Sequence, residues 1–177
     1  GIRNVQDVQL AVYDYDHVPL VLLKEIDKSL RAAGIRFVIY SSFSHTGDPE
    51  DTNARVVMDV SRPVTVGVWP SFWAYVGASL AEGYDPQCRD ASRIYFLPFT
   101  PNVEDAFIWH NKEGAGLDVD AMLEAAAAAG FTGAGTGGAD EGADALVMQV
   151  DVDVLKSHIL HLSRRTGAKD QHTAMLL

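Results

Sequence analysis

Residues 35–60 read IRFVIYSSFSHTGDPEDTNARVVMDV, and the reading of this stretch decides the fold. Its opening, IRFVIYSS, is a nearly continuous apolar and β-branched run, the pattern of a strand buried on both faces. FSHTGDPEDTNA is dense in turn formers. RVVMDV beyond it alternates, with Arg55, Val57 and Asp59 on one face and Val56, Met58 and Val60 on the other. Two such runs around a polar segment predict a hairpin with a long tip.

Upstream, LAVYDYDH (residues 10–17) predicts a strand over 9–13. VPLVLLKEIDKSLRAAG then carries apolar residues at helical spacing, with Pro19 near the first turn and Gly34 as the stop. Downstream, VTVGVWPSFWAYVGASLAEGY places Phe72, Tyr75, Val76, Ser79 and Leu80 on one helical stripe, and SRIYFLP reads as a strand closed by Pro98. The succession is β-α-β-β-α-β, the arrangement shared by ferredoxin-like and RNA-recognition (RRM-like) folds, an α/β chain of the α+β kind. A further strand at AFIWH and a helix at DVDAMLEAAAAAG, capped by Gly130, extend it.

The 177 residues suit one core of ordinary size, with 47% apolar and 21% charged residues and no apolar run approaching the ~20 residues of a membrane span. Residues 1–130 are expected to form the globular domain, 131–145 a Gly-rich acidic linker, and 146–177 a C-terminal strand and helix. Gly1 in place of an initiator Met suggests a piece of a longer chain. The formal G-x-G-x-x-G at Gly133, Gly135 and Gly138 follows a helix rather than a strand, so it reads as flexible linker and not as a dinucleotide site. His158 and His161 lie three apart on the last predicted helix, a pair more often found on a surface than around a metal. A lone Cys88 and no secretion signal lead to the expectation of a cytoplasmic protein with a packed thiol.

The net charge is −10, and 18 acidic against 10 basic residues up to Gly130 show that the acidity is not confined to a tail. Broad electrostatic binding of nucleic acid is thereby disfavoured, and any phosphate site must be local and built from individual cationic groups. Asp14 and Asp16 share one face of the first strand, because strand side chains alternate and Tyr15 turns away. Two carboxylates this close repel unless a cation holds them, and their oxygens suit Mg²⁺ or Mn²⁺; the alternative is a solvated strand end, with Asp16 capping the following helix. His45 lies just past the second strand, which is expected beside the first, in a tip with Ser42 and Ser44. Arg55, Arg62 and Arg93 are the guanidinium candidates for phosphate, with Ser92 beside Arg93. Asp90 or Asp59 would complete three carboxylates, the set that clamps two divalent ions for in-line displacement at phosphorus.

The succession DYD, YSSFSH, ARVVMDVSRPV and YDPQCRDASRIYFLPF resembles the archaeo-eukaryotic primase superfamily, specifically the primase-polymerase modules of phages, plasmids and other mobile elements. The likeness runs from about Val8 to about Leu123. It implies a DNA primase/polymerase domain on an RNA-recognition-like catalytic half, with Asp14 and Asp16 as the metal-binding pair, His45 at the incoming nucleotide's phosphates and Asp90 as the last carboxylate. Phe43 stands where that family has a small residue two before the histidine. Arg89, not a hydrophobic residue, precedes Asp90, whereas Met58 with Asp59 fits the hydrophobic-acid form. The implied partners are nucleoside triphosphates, a single-stranded DNA template and a helicase domain or partner downstream, with no membrane. LAVYDYDHVPL also resembles a haloacid-dehalogenase-type phosphatase, in which Asp14 would be the nucleophile, but His17 and Val18 replace the expected Gly-Thr. A non-catalytic RRM-like module is the third reading, and ARVVMDV lacks the stacking aromatics it needs.

Overall fold

In the first strand, alternation continues past the apolar run, so β1 spans Asp7–Val18 and contains both aspartates instead of ending before them. The computed structural model describes residues 5–95 and 104–131. Helix α1 (Leu20–Ala32) enters at Pro19, whose φ of −68° suits the cap position, and closes at Gly34, whose φ of +67° costs a glycine no Cβ clash. β2 (Phe37–Ser41) and β3 (Thr52–Thr65) form the antiparallel hairpin read from residues 35–60. Helix α2 (Trp69–Ala78) holds Pro70 in its first turn, where no N–H is missed. A 3₁₀ turn (Pro86–Arg89), β4 (Ile108–Asn111) and α3 (Val119–Ala128) follow. Asp118 caps α3 by accepting from the Ala121 N–H, and Gly130 follows its end at φ +82°.

The described strands form one antiparallel sheet in the order β1-β3-β2-β4. The second strand therefore does not lie beside the first: β3 pairs with both, because the long β3 can hydrogen-bond on each edge while α1 carries the chain across. The AFIWH strand is present as β4 and pairs with β2. The predicted strand SRIYFLP is not formed over Arg93–Tyr95, and its remainder lies outside the described residues. Along the outer edge of β1 runs a loop instead, through a bridge from Tyr15 to Tyr84 and a bond from the Asp85 N–H to the Asp14 carbonyl (2.8 Å). The linker, the C-terminal helix, His158 and His161 also lie outside the described residues.

One face of the sheet is the core. Tyr13 and Tyr15 of β1, Val56 and Met58 of β3, and Phe37 and Ile39 of β2 are buried with Leu23, Ile26 and Leu30 of α1, Phe72, Trp73 and Val76 of α2, and Met122 and Ala126 of α3. Tyr13 stacks on Trp73 at 4.9 Å between centroids and donates its hydroxyl to the Trp73 carbonyl at 2.7 Å, so its one polar atom is satisfied inside the core. Gly114 sits so close to Ile35 and Arg36 that a Cβ would lie 2.4 Å from the Ile35 backbone, and this approach lets Ala115 bridge to Ile35. Cys88 is buried, and burial pushes its thiol pKa up, in keeping with a packed thiol. No helix among the described residues is long and apolar enough to cross a membrane.

Candidate active site

The face opposite the helical core carries the polar residues, and the sheet register sets them in rows. Asp14 on β1 lies opposite Arg55 on β3, which lies opposite Tyr40 on β2. Arg55 donates through Nη2 to Asp14 Oδ2 at 2.7 Å and through Nε to Oδ1 at 3.2 Å, a two-pronged pair in which both side chains are largely buried. Its Nη1 reaches the Tyr40 hydroxyl at 3.4 Å, and the rings of Tyr40 and Tyr95 lie over the guanidinium at 5.8 and 5.1 Å. Burial opposes the Arg55 charge, but the bonds to Asp14 and Tyr40 outweigh it and raise its pKa above the usual range.

Asp16 is two residues further along the same face and is exposed. Partial desolvation, then the neighbouring Asp14 charge, raises its pKa above the ordinary carboxylate value; Asp85 pushes in the same direction, while His17 and Arg55 oppose. The strand is bulged here. Pairing passes from Tyr15–Ala54 to Val18–Thr52, so Asp16 and His17 together oppose the single residue Asn53. His17 has φ +58°, a left-handed conformation that costs a non-glycine residue roughly 1–2 kcal/mol. The Asn53 Oδ1 accepts from the His17 N–H at 2.9 Å, and the His17 Nδ1 meets Asp51 Oδ1 at 2.7 Å.

His45 is only 6% exposed and packs edge-on against Phe107, 5.6 Å between centroids. Its backbone N–H donates to the Ser42 carbonyl, but its buried Nδ1 finds no hydrogen-bond partner among the described residues. A buried imidazole nitrogen without a partner is uncommon and is a place where a ligand atom gains a bond at no cost to an existing one. The loop bearing His45 is held at the Asp16 end of the sheet, since the Ser42 N–H donates to the Asn53 carbonyl and the Asn53 Nδ2 donates to the Ser44 carbonyl.

The other candidates divide. Arg93 pairs with Asp85 at 2.9 Å and lies over Tyr95 at 6.0 Å. Asp90 is exposed and accepts from both the backbone N–H and the hydroxyl of Ser92, each at 2.8 Å, which lowers its pKa; Ser92 is thereby turned to Asp90. Asp90, Arg93 and Tyr95 line a cavity of about 340 Å³ with Leu10, Val12 and Cys88, toward the start of β1. Asp59 pairs with Arg36 at 2.9 Å and stands four residues beyond the Arg55 row along β3, roughly 13 Å away. Arg62 is further still, at the end of β3, paired with Asp120 of α3.

The structure thus brings together Asp14, Asp16, Arg55 and the His45 loop, and it places Asp59 and Arg62 elsewhere. Residues that sequence reading passed over are Asp85, Asn53, Tyr40 and Tyr95. Asp85 and Asn53 stood in segments rich in turn formers, and only the strand register reveals what they face. Among the described residues no three His, Cys, Asp or Glu side chains form a ready metal cage. The carboxylate oxygens of Asp14 and Asp16 are of the donor type that a hard divalent cation such as Mg²⁺ takes, one or two from a protein with the rest from other oxygens. No protein-family model, curated protein or solved structure matches the chain.

Proposed function

We propose that this chain is a nucleotidyltransferase of the primase-polymerase kind, built on an RRM-like βαββαβ core, which joins nucleotides on a single-stranded DNA template. The observation that supports it best is the pairing of a crowded carboxylate couple, Asp14 and Asp16, with a buried His45 whose Nδ1 has no hydrogen-bond partner among the described residues, on a loop held at the same end of the sheet. Asp14 is aimed by its two bonds from Arg55. Asp16, with its raised pKa, gains most from a cation that offsets its neighbour's charge.

In this reading Asp14 and Asp16 hold Mg²⁺ or Mn²⁺, and His45 steadies an oxygen of the incoming triphosphate. The cation, when bound, offsets charge that develops on the phosphoryl oxygens. The 3′-hydroxyl of the growing strand attacks the α-phosphorus, and pyrophosphate leaves. Asp85, close enough to raise the Asp16 pKa, is the better candidate for the further carboxylate, since Asp90 is engaged with Ser92 toward the start of β1.

The test is incorporation of labelled nucleotides on single-stranded DNA with Mn²⁺ or Mg²⁺, comparing the unaltered chain with Asp14→Asn plus Asp16→Asn. Incorporation that disappears in the double variant is expected. Equal incorporation by both proteins, or release of phosphate from a simple monoester by the unaltered chain alone, defeats the proposal.

A further inference from the structure

Asn53 is 3% exposed and lies on β3, between the strand that carries the aspartates and the strand that leads to His45. It makes three bonds to those two neighbours. Its Oδ1 accepts from the His17 N–H (2.9 Å), its Nδ2 donates to the Ser44 carbonyl (3.2 Å), and its own carbonyl accepts from the Ser42 N–H (2.9 Å). The first bond holds the bulge at which Asp16 sits, opposite Asn53 itself, and secures the left-handed backbone of His17. The other two hold the loop on which His45 is carried.

We propose that Asn53 is a positioning residue that couples the Asp14–Asp16 end of β1 to the His45 loop, so that carboxylates and imidazole keep one relative placement. An amide is the side chain that can do this, because it offers an acceptor and a donor on the two branches of one plane. Aspartate at this position would keep the acceptor toward His17 and lose the donor toward Ser44; alanine would lose both. A bulge redirects the side chain of its extra residue, so slackening of the His17 bond displaces Asp16 directly. The proposal rests on the nucleotidyl-transfer reading for its ligand, a nucleoside triphosphate, but not for the coupling itself.

The experiment compares the full chain with Asn53→Asp and Asn53→Ala at pH 8, by backbone amide exchange and by calorimetric binding of an α,β-methylene nucleoside triphosphate with Mg²⁺. In Asn53→Asp, the His17 amide should stay protected while residues 42–45 exchange faster and triphosphate binding falls about 10-fold. In Asn53→Ala, both segments should loosen together and binding should fall about 100-fold, two tenfold losses for the two side-chain bonds removed. Amides of Val56 and Met58 should remain protected in both. Loosening that spreads equally to Val56 and Met58, or variants that exchange as the unaltered chain does, overturns the coupling. If the unaltered chain binds no triphosphate, the functional reading fails while amide exchange alone decides the coupling: joint loosening of His17 and 42–45 in Asn53→Ala supports it, and independent behaviour refutes it.

Discussion

Arg55 grips both carboxylate oxygens of Asp14 from the neighbouring strand, at 2.7 and 3.2 Å, and each is the other's direct cross-strand partner. Removing one member of such a buried pair leaves a charge without compensation, at a cost of about 3–5 kcal/mol. Arg55→Met is expected to be the more damaging change, because it leaves Asp14 beside Asp16 with no counter-charge, whereas Asp14→Asn leaves Arg55 its bond to Tyr40. Urea denaturation of both single variants and the double variant checks this. The double variant should lose less than the sum of the two.

Asp16 has a folded-state pKa above its unfolded value, so ionising it works against folding. Its favourable contribution is complete below the ordinary carboxylate pKa and is lost as pH rises through the raised value. Asp16→Asn should therefore be more stable than the unaltered chain at pH 7, by no more than about 0.5 kcal/mol because solvent screens an exposed site. The difference should vanish near pH 3. Thermal unfolding across that range measures it, and a variant less stable at neutral pH would contradict the cause assigned to the shift.

Substitutions at the remaining carboxylates should separate. Asp59 is engaged with Arg36 away from the Asp14 row, so Asp59→Asn should leave nucleotide incorporation within about twofold of the unaltered chain, a change of less than ~0.5 kcal/mol in the barrier. Asp85→Asn, which removes both the Arg93 partner and a charge felt by Asp16, should lower it by at least about tenfold, or ~1.4 kcal/mol. The reverse order would point to the start of β1 as the working end of the sheet.

Gly114 tests the fold independently of function. An added methyl would meet the Ile35 carbonyl carbon and oxygen and the Arg36 nitrogen at 2.4–2.5 Å, all backbone atoms that cannot rotate aside. Gly114→Ala should cost about 1–3 kcal/mol, as overpacking of a close contact does. Gly67→Ala, with nothing within 4 Å of the new methyl, is the control that should melt close to the unaltered chain.

Much of the architecture was legible along the chain. Alternation in RVVMDV put Val56 and Met58 in the core and Arg55 on the polar face, and the helical stripe from Phe72 through Val76 is buried as read. Alternation likewise put Asp14 and Asp16 on one side of Tyr15, which is wholly buried. These features follow from local periodicity, since a side chain's direction in a strand or helix depends on its neighbours in sequence. The strand expected at SRIYFLP shows the limit of that logic. An apolar run has strand character anywhere, but over Arg93–Tyr95 the chain is engaged in contacts with Asp85, Arg55 and the Cys88 carbonyl instead of a ladder.

What the chain of residues determined by itself is the order β-α-β-β-α and the sidedness of each element, because both are properties of spacing. Only the folded structure decided that β3 lies between β1 and β2, that Asp14 meets Arg55, and that Asn53 holds a bulge on one side and a loop on the other. The relations of β3 to β1 are matters of register between segments about 40 residues apart, as the 36-residue separation of His17 and Asn53 and the 41-residue separation of Asp14 and Arg55 show. Register is set by how whole faces pack, since a slip of one residue would send every side chain of a strand to the wrong side.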